Sequence, residues 1–149
     1  MFKHILVPVD GSPTSLAAIE KAAGLARAFG SKITAIYVID PYPFTGVGAD
    51  FAYGQDQYLA AAKAEAAAAI DAASQRLHHE GIESETRVVE SHTVWRGVLE
   101  AAETIGADLI VIGSHGRRGL EKLVLGSVAQ SVLSHTKITT LVVRAPEAG

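Results

Sequence analysis

The stretch Asp108-Leu-Ile-Val-Ile-Gly-Ser-His-Gly116 decides how this chain is read. Leu109 to Ile112 are all apolar, with no alternation that would leave one face for water. A strand-length run of this kind belongs in a sheet covered on both sides, which means a parallel sheet flanked by helices. Gly113 and Gly116 close the run with a loop whose backbone can reach conformations closed to other residues.

Outward from that strand, the remaining elements fall into alternation. Upstream, a helix is predicted from about Thr93 to Ile105, with Val94, Val98, Ala101 and Ile105 on one stripe, after a strand around Glu83 to Val89. Downstream, a short helix is predicted from about Ser127 to Ser134 and a fifth strand over Thr139–Val143. At the other end, Ile5-Leu-Val-Pro-Val9 reads as the first strand, and Asp10-Gly-Ser-Pro13 as a turn that starts a helix. That helix runs from Pro13 to Phe29 and is closed by Gly30. A second strand covers Ile33–Ile39, a loop Asp40–Gly54, and a long alanine-rich helix about Gln55 to His79. Leu59, Ala62, Ala66, Ile70, Ala73 and Leu77 share one face of that helix.

The order βαβαβαβαβ calls for an α/β fold: a five-stranded, parallel, doubly wound sheet with helices on both faces. Right-handed crossovers leave two common strand orders, 3-2-1-4-5 and 2-1-3-4-5. The first is preferred, because only it brings the ends of strands 1 and 4 together, and these carry the two most ligand-like segments, Asp10 and Gly113-Ser-His-Gly116. Residues 1–149 form one domain, without repeat or linker.

Composition narrows the function classes. Hydrophobic residues are 48% and charged residues 19%, a globular balance, and the net charge of −3 argues against nucleic acid as partner. There is no cysteine, which removes disulfides, thiolate metal sites and cysteine nucleophiles. No apolar run is long enough for membrane insertion, and the opening residues have no signal-peptide character, so a cytoplasmic location is expected. His78 and His79 diverge around their helix and have no spaced carboxylate partner, so no metal ligand set is assigned. No nucleophile with an orienting base is evident, and no catalytic residue is assigned.

The glycine-rich segment continues to Gly126-Ser127 at the start of a helix. Converging N–H groups, a positive helix end and the Ser127 hydroxyl together make a phosphate cradle. The same residues also fit a long turn with Ser127 as a helix cap, just as Asp10 fits a cap ahead of Pro13. The P-loop, the dinucleotide G-x-G-x-x-G and the G-x-S-x-G elbow are all missing.

Gly113, Gly116, Gly126 and Ser127 form the pattern G-x2-G-x9-G-[ST], which resembles the nucleotide-binding motif of ATP-binding universal stress proteins. Ile5-Leu-Val-Pro-Val-Asp-Gly-Ser12 and Thr140-Leu-Val-Val-Arg144 resemble the opening and ending of the same family. The resemblance implies strand order 3-2-1-4-5 and ATP held at the ends of strands 1 and 4. It implies Asp10 on the ribose and the backbone of Pro8, Val9 and Val38 around the adenine. Gly113, Gly116, Gly126, Ser127 and Val128 would wrap the phosphates, with Ser114, His115 and Arg117 nearby and a magnesium or manganese ion bridging the phosphates.

The function expected is a stress-response regulatory protein that binds ATP and signals its nucleotide state to an unnamed partner protein. The alternatives are a slow metal-dependent ATP hydrolase or phosphotransferase, or a module for cyclic AMP or AMP. The last strand is apolar with no charge before Arg144, so a homodimer is expected through residues near 139–144. The loop Pro41 to Gly54 holds Tyr42, Phe44, Phe51 and Tyr53, and reads as a lid, a docking patch or a segment folded back on the helices. Trp95 reads as a packing residue.

Overall fold

The computed structural model describes residues 1–41, 49–115 and 125–144, with the side chains of 49–53 excepted. The strands are β1 (His4–Pro8), β2 (Lys32–Ile39), β3 (Ser84–Glu90), β4 (Leu109–Gly113) and β5 (Thr139–Val143). The helices are α1 (Pro13–Phe29), α2 (Ala49–His79), α3 (Val94–Ile105) and α4 (Ser127–His135). All strand pairs are parallel and the order is β3-β2-β1-β4-β5, as the ligand-crevice reasoning required.

Two apolar layers sandwich the sheet. Ile5, Val7, Ile33, Leu109 and Val111 point to α1 and α2, while Leu6, Ile36, Ile110 and Ile112 point to α3 and α4. Adjacent residues of one strand thus feed opposite layers, and both are dry, which is why the central strands read as unbroken apolar runs.

Three expectations are corrected in detail. The long helix begins at Ala49, not near Gln55, because Gly54 does not break it. A helical glycine costs only about 1 kcal/mol relative to alanine, too little to stop so long a helix. The buried stripe of α3 is Gly97, Val98, Ala101 and Ala102, while Val94, in the first turn, is 38% exposed. Finally, the cap of α1 is Ser12, whose Oγ accepts the Ser15 N–H at 3.1 Å; Asp10 instead accepts the Ser12 N–H at 2.9 Å and holds the turn before it.

Candidate functional site

The sheet opens where strand order reverses, between β1 and β4. β1 pairs with β2 over five residues, His4↔Lys32 through Pro8↔Ile36, but with β4 only at Ile5↔Leu109 and Leu6↔Ile110. Proline explains the difference. The Val9 N–H bonds to the Ile36 carbonyl at 2.8 Å, so the odd residues of β1 present their backbone to β2 and the even ones to β4. Pro8 is therefore the next donor position toward β4, and it has no N–H. Past Leu6 the two strands are free to separate, and their carboxyl ends flank a crevice of the kind in which open α/β sheets take ligands.

On the β2 side the ladder also stops at Val9. Its next bond, from the Val38 N–H to the Val9 carbonyl, is not made. The Val38 backbone thus faces the end of β1 with a donor and an acceptor, while its side chain packs on α3. A Cβ added to Gly97 would lie 2.9 Å from Val38 Cγ1, so only a glycine lets α3 come this close.

On the β4 side, Ser114 ties three elements together. Its N–H bonds to the Val143 carbonyl of β5 at 2.7 Å, and its carbonyl accepts the Gly126 N–H at 2.6 Å. Its buried hydroxyl meets His115 Nδ1 at 3.1 Å. Gly126 is the residue capping α4, and a Cβ there would lie 2.9 Å from the His115 backbone. Ser127 is consequently the first helical residue and not the cap; it is exposed, and α4 has no side-chain cap. The N–H groups of Ser127 and Val128 have no partner among the described residues and point out of a positive helix end beside Ser114 and His115. Gly113 has a purely structural reason to be bare: a Cβ would lie 2.8 Å from Thr14 Cγ2 of α1.

Pro8, Val9, Asp10, Val38, Gly113, Ser114, His115, Gly126, Ser127 and Val128 thus all lie at or beside the carboxyl ends of β1, β2 and β4 or at the start of α4. Gly116 and Arg117 lie outside the described residues, as do Arg118, Lys122 and the side chains of Tyr42, Phe44, Phe51 and Tyr53.

Beyond Asp10 the structure contains a half-open cleft of about 220 Å³ between the start of α1 and the middle of α2. Asp10, Gly11, Ser15, Leu16, Glu65 and Ala69 are among its walls. Gly11 has φ +82°, and its missing Cβ would be 3.7 Å from the Ala69 Cβ, so the turn runs directly under α2. The sequence pattern had not singled out Glu65. Its signal is the stripe Glu65, Ala68, Ala69 and Ala72, at i, i+3, i+4 and i+7, which flanks the buried face of α2 and lines this cleft. Nearby on α2, burial and then the Asp40 and Glu65 carboxylates push the Tyr58 phenol above its ordinary pKa. Among the described residues no group of three or more His, Asp or Glu could hold a metal ion, and no helix is long and apolar enough to cross a membrane.

A five-stranded parallel sheet of order 3-2-1-4-5, flanked by helices on both faces and opening at its switch point, defines the class: an open α/β fold. Residues 1–144 match the model of the universal stress protein family, and the chain belongs to that family. A universal stress protein of Methanocaldococcus jannaschii is 35% identical over 147 residues, covering 99% of this chain and 85% of that one. The solved universal stress protein from Lactobacillus plantarum is 26% identical with a TM-score of 0.81, covering 95% of this chain and 97% of that one. Another universal stress protein, solved in complex with cAMP, is 25% identical with a TM-score of 0.72, covering 97% and 98%.

Proposed function

We propose that this protein binds an adenine nucleotide, ATP first among them, and reports its bound state to a partner protein. The observation that carries the reading is the bare start of α4, seated through Gly126 on the Ser114 carbonyl, within the crevice where β1 and β4 part. Free N–H groups and a helix dipole attract phosphate oxygens. The Val38 backbone offers one donor and one acceptor, the pair an adenine edge needs. The cAMP-bound relative supports an adenine ligand in this fold, and makes cAMP the second reading. The Gly113-x2-Gly116-x9-Gly126-Ser127 spacing favours ATP, because a long glycine loop ahead of a helix end can serve several phosphates.

A magnesium or manganese ion bound with the nucleotide would be held by its phosphate oxygens, the hard donors that such ions prefer. The domain acts as a homodimer joined through β5, whose outer edge is apolar.

The test is mass spectrometry of small molecules released on denaturing the purified protein, followed by calorimetry with ATP and cAMP. Bound or titratable ATP is expected, and Ser127→Ala weakens it by about 1 kcal/mol or somewhat more, the scale of one hydrogen bond to a charged oxygen. A protein that carries no nucleotide and binds neither ligand overturns the reading.

A further inference from the structure

Gly97 lies buried in the first turn of α3, in helical backbone without a positive φ, where alanine is the better helix former. What a side chain there lacks is room. A Cβ would lie 2.9 Å from Val38 Cγ1, 3.3 Å from Val38 Cγ2 and 3.0 Å from the Ser91 Cβ, so the bare Cα is what seats α3 on the end of β2. Val38 is also the residue whose backbone is offered to adenine. Resting on the adenine-nucleotide reading, we infer that Gly97 is a positioning residue of the site. By letting α3 seat on Val38, it holds the Val38 N–H and C=O where a base can meet both, and so gives a nucleotide its advantage over a bare polyphosphate.

The contact matters to the crevice because of which side yields. α3 is held from several directions. Val98, Ala101 and Ala102 are buried against the sheet, and the Trp95 ring stacks on His135 of α4 at 4.1 Å and 18°. Ser91 ties the start of α3 to β2: its N–H bonds to the Ile39 carbonyl at 2.9 Å, and its hydroxyl donates to the Thr93 carbonyl at 2.9 Å. Backing α3 away from Val38 would strain all of these.

Val38 has fewer ties. Its backbone turns toward β1, where the ladder has ended, and its N–H makes no bond to the Val9 carbonyl opposite. A methyl group at 97 is therefore relieved by moving Val38. Turning the side chain does not suffice, because both methyls face Gly97 and a rotation about χ1 takes away at most one. Hydrogen bonds weaken steeply as donor and acceptor leave their line. A displaced Val38 thus loses the base, while the phosphate donors at the start of α4 stay in place.

Calorimetry with ATP and with inorganic tripolyphosphate tests this on the full chain as parent, Gly97→Ala, Val38→Ile, and Gly97→Ala combined with Val38→Ala. The parent is expected to bind ATP more tightly than tripolyphosphate. Gly97→Ala is expected to weaken ATP about tenfold, the worth of one hydrogen bond, and to leave tripolyphosphate within about twofold of the parent. Val38→Ile crowds the same contact from the strand and is expected to give the same split, which keeps the test open if Gly97→Ala does not fold. The double variant lacks both crowding methyls, and its ATP affinity is expected to return most of the way to the parent value. If the folded variants weaken both ligands alike, or neither, Gly97 serves packing only and the nucleotide reading stands. If the parent binds neither ATP nor tripolyphosphate, the nucleotide reading fails and takes this inference with it.

Discussion

Asp108 precedes β4 at the amino end of the sheet, opposite the ligand crevice. Its carboxylate accepts the Lys3 N–H at 2.9 and 3.1 Å and the His4 N–H at 3.1 Å, clipping the start of β1 to the start of β4. Burial raises its pKa, but the backbone bonds, from Lys3 first, outweigh it and hold the carboxyl below its ordinary value. A depressed folded pKa stabilises fully above the unfolded value of ~4, and the benefit is lost as pH falls through the folded value. Asp108→Asn is therefore expected to cost about 1–3 kcal/mol at neutral pH, with the gap to the parent closing at acid pH, below the folded pKa. Urea titrations at both pH values check this; a gap that does not close means that the charge is not what matters. At this scale the sequence was only partly legible. An Asp before a strand, or an Asp and a Ser before a proline, offers more than one hydrogen-bonding role, and only the backbone path shows that Ser12 caps α1 while Asp10 holds the turn.

Among the elements, α1 is set on the sheet by Gly113. The glycine stood out in the sequence as a ligand-loop residue, but the atom that requires it, Thr14 Cγ2, lies on a helix 99 residues earlier in the chain. Periodicity cannot see such a pair, because the contact depends on how α1 crosses the end of β4. The Cβ of Gly113→Ala would meet Thr14 Cγ2 at 2.8 Å and the Thr14 backbone at 3.4 Å, so the helix must shift. Overpacking of this kind is expected to cost about 1–3 kcal/mol. Adding Thr14→Ser removes Cγ2 and should recover most of the loss in a double-mutant denaturation cycle. Full additivity of the two changes would refute the contact. The start of α2 escaped the sequence for a different reason: Gly54 and the stretch from Ala49 before it look like a loop, although the 25 residues that follow are strong enough helix material to carry them. Glu65 escaped because the charged residues of an alanine-rich helix are ordinarily solvated, as this exposed one is, and only the docking of α2 over Gly11 sets it on the rim of a cleft.

For the whole molecule, the parallel doubly wound sheet was legible because its central strands are mostly apolar and each crossover is long enough for a helix, while the strand order followed from bringing the ends of β1 and β4 together. What one chain leaves unpaired is its two sheet edges, and they differ. β3 carries Glu85, Arg87 and Glu90, charges that discourage pairing with another sheet. β5 is Thr-Thr-Leu-Val-Val, with no charge and with Leu141 40% exposed; Leu133 of α4 is 41% exposed as well. The bond from the Ser114 N–H to the Val143 carbonyl fixes which backbone groups face inward: those of Thr139, Leu141 and Val143. Thr140 and Val142 therefore turn their N–H and C=O groups outward, where the same strand of a second copy can pair antiparallel about a two-fold axis. Val142→Pro removes one outward donor without touching the β4–β5 ladder, so the protomer should stay folded. Light scattering is expected to give twice the chain mass for the parent and a single chain for Val142→Pro, with unchanged far-ultraviolet circular dichroism. A parent that is monomeric at every concentration, or a proline variant that still dimerises, would show that β5 is not the joining edge.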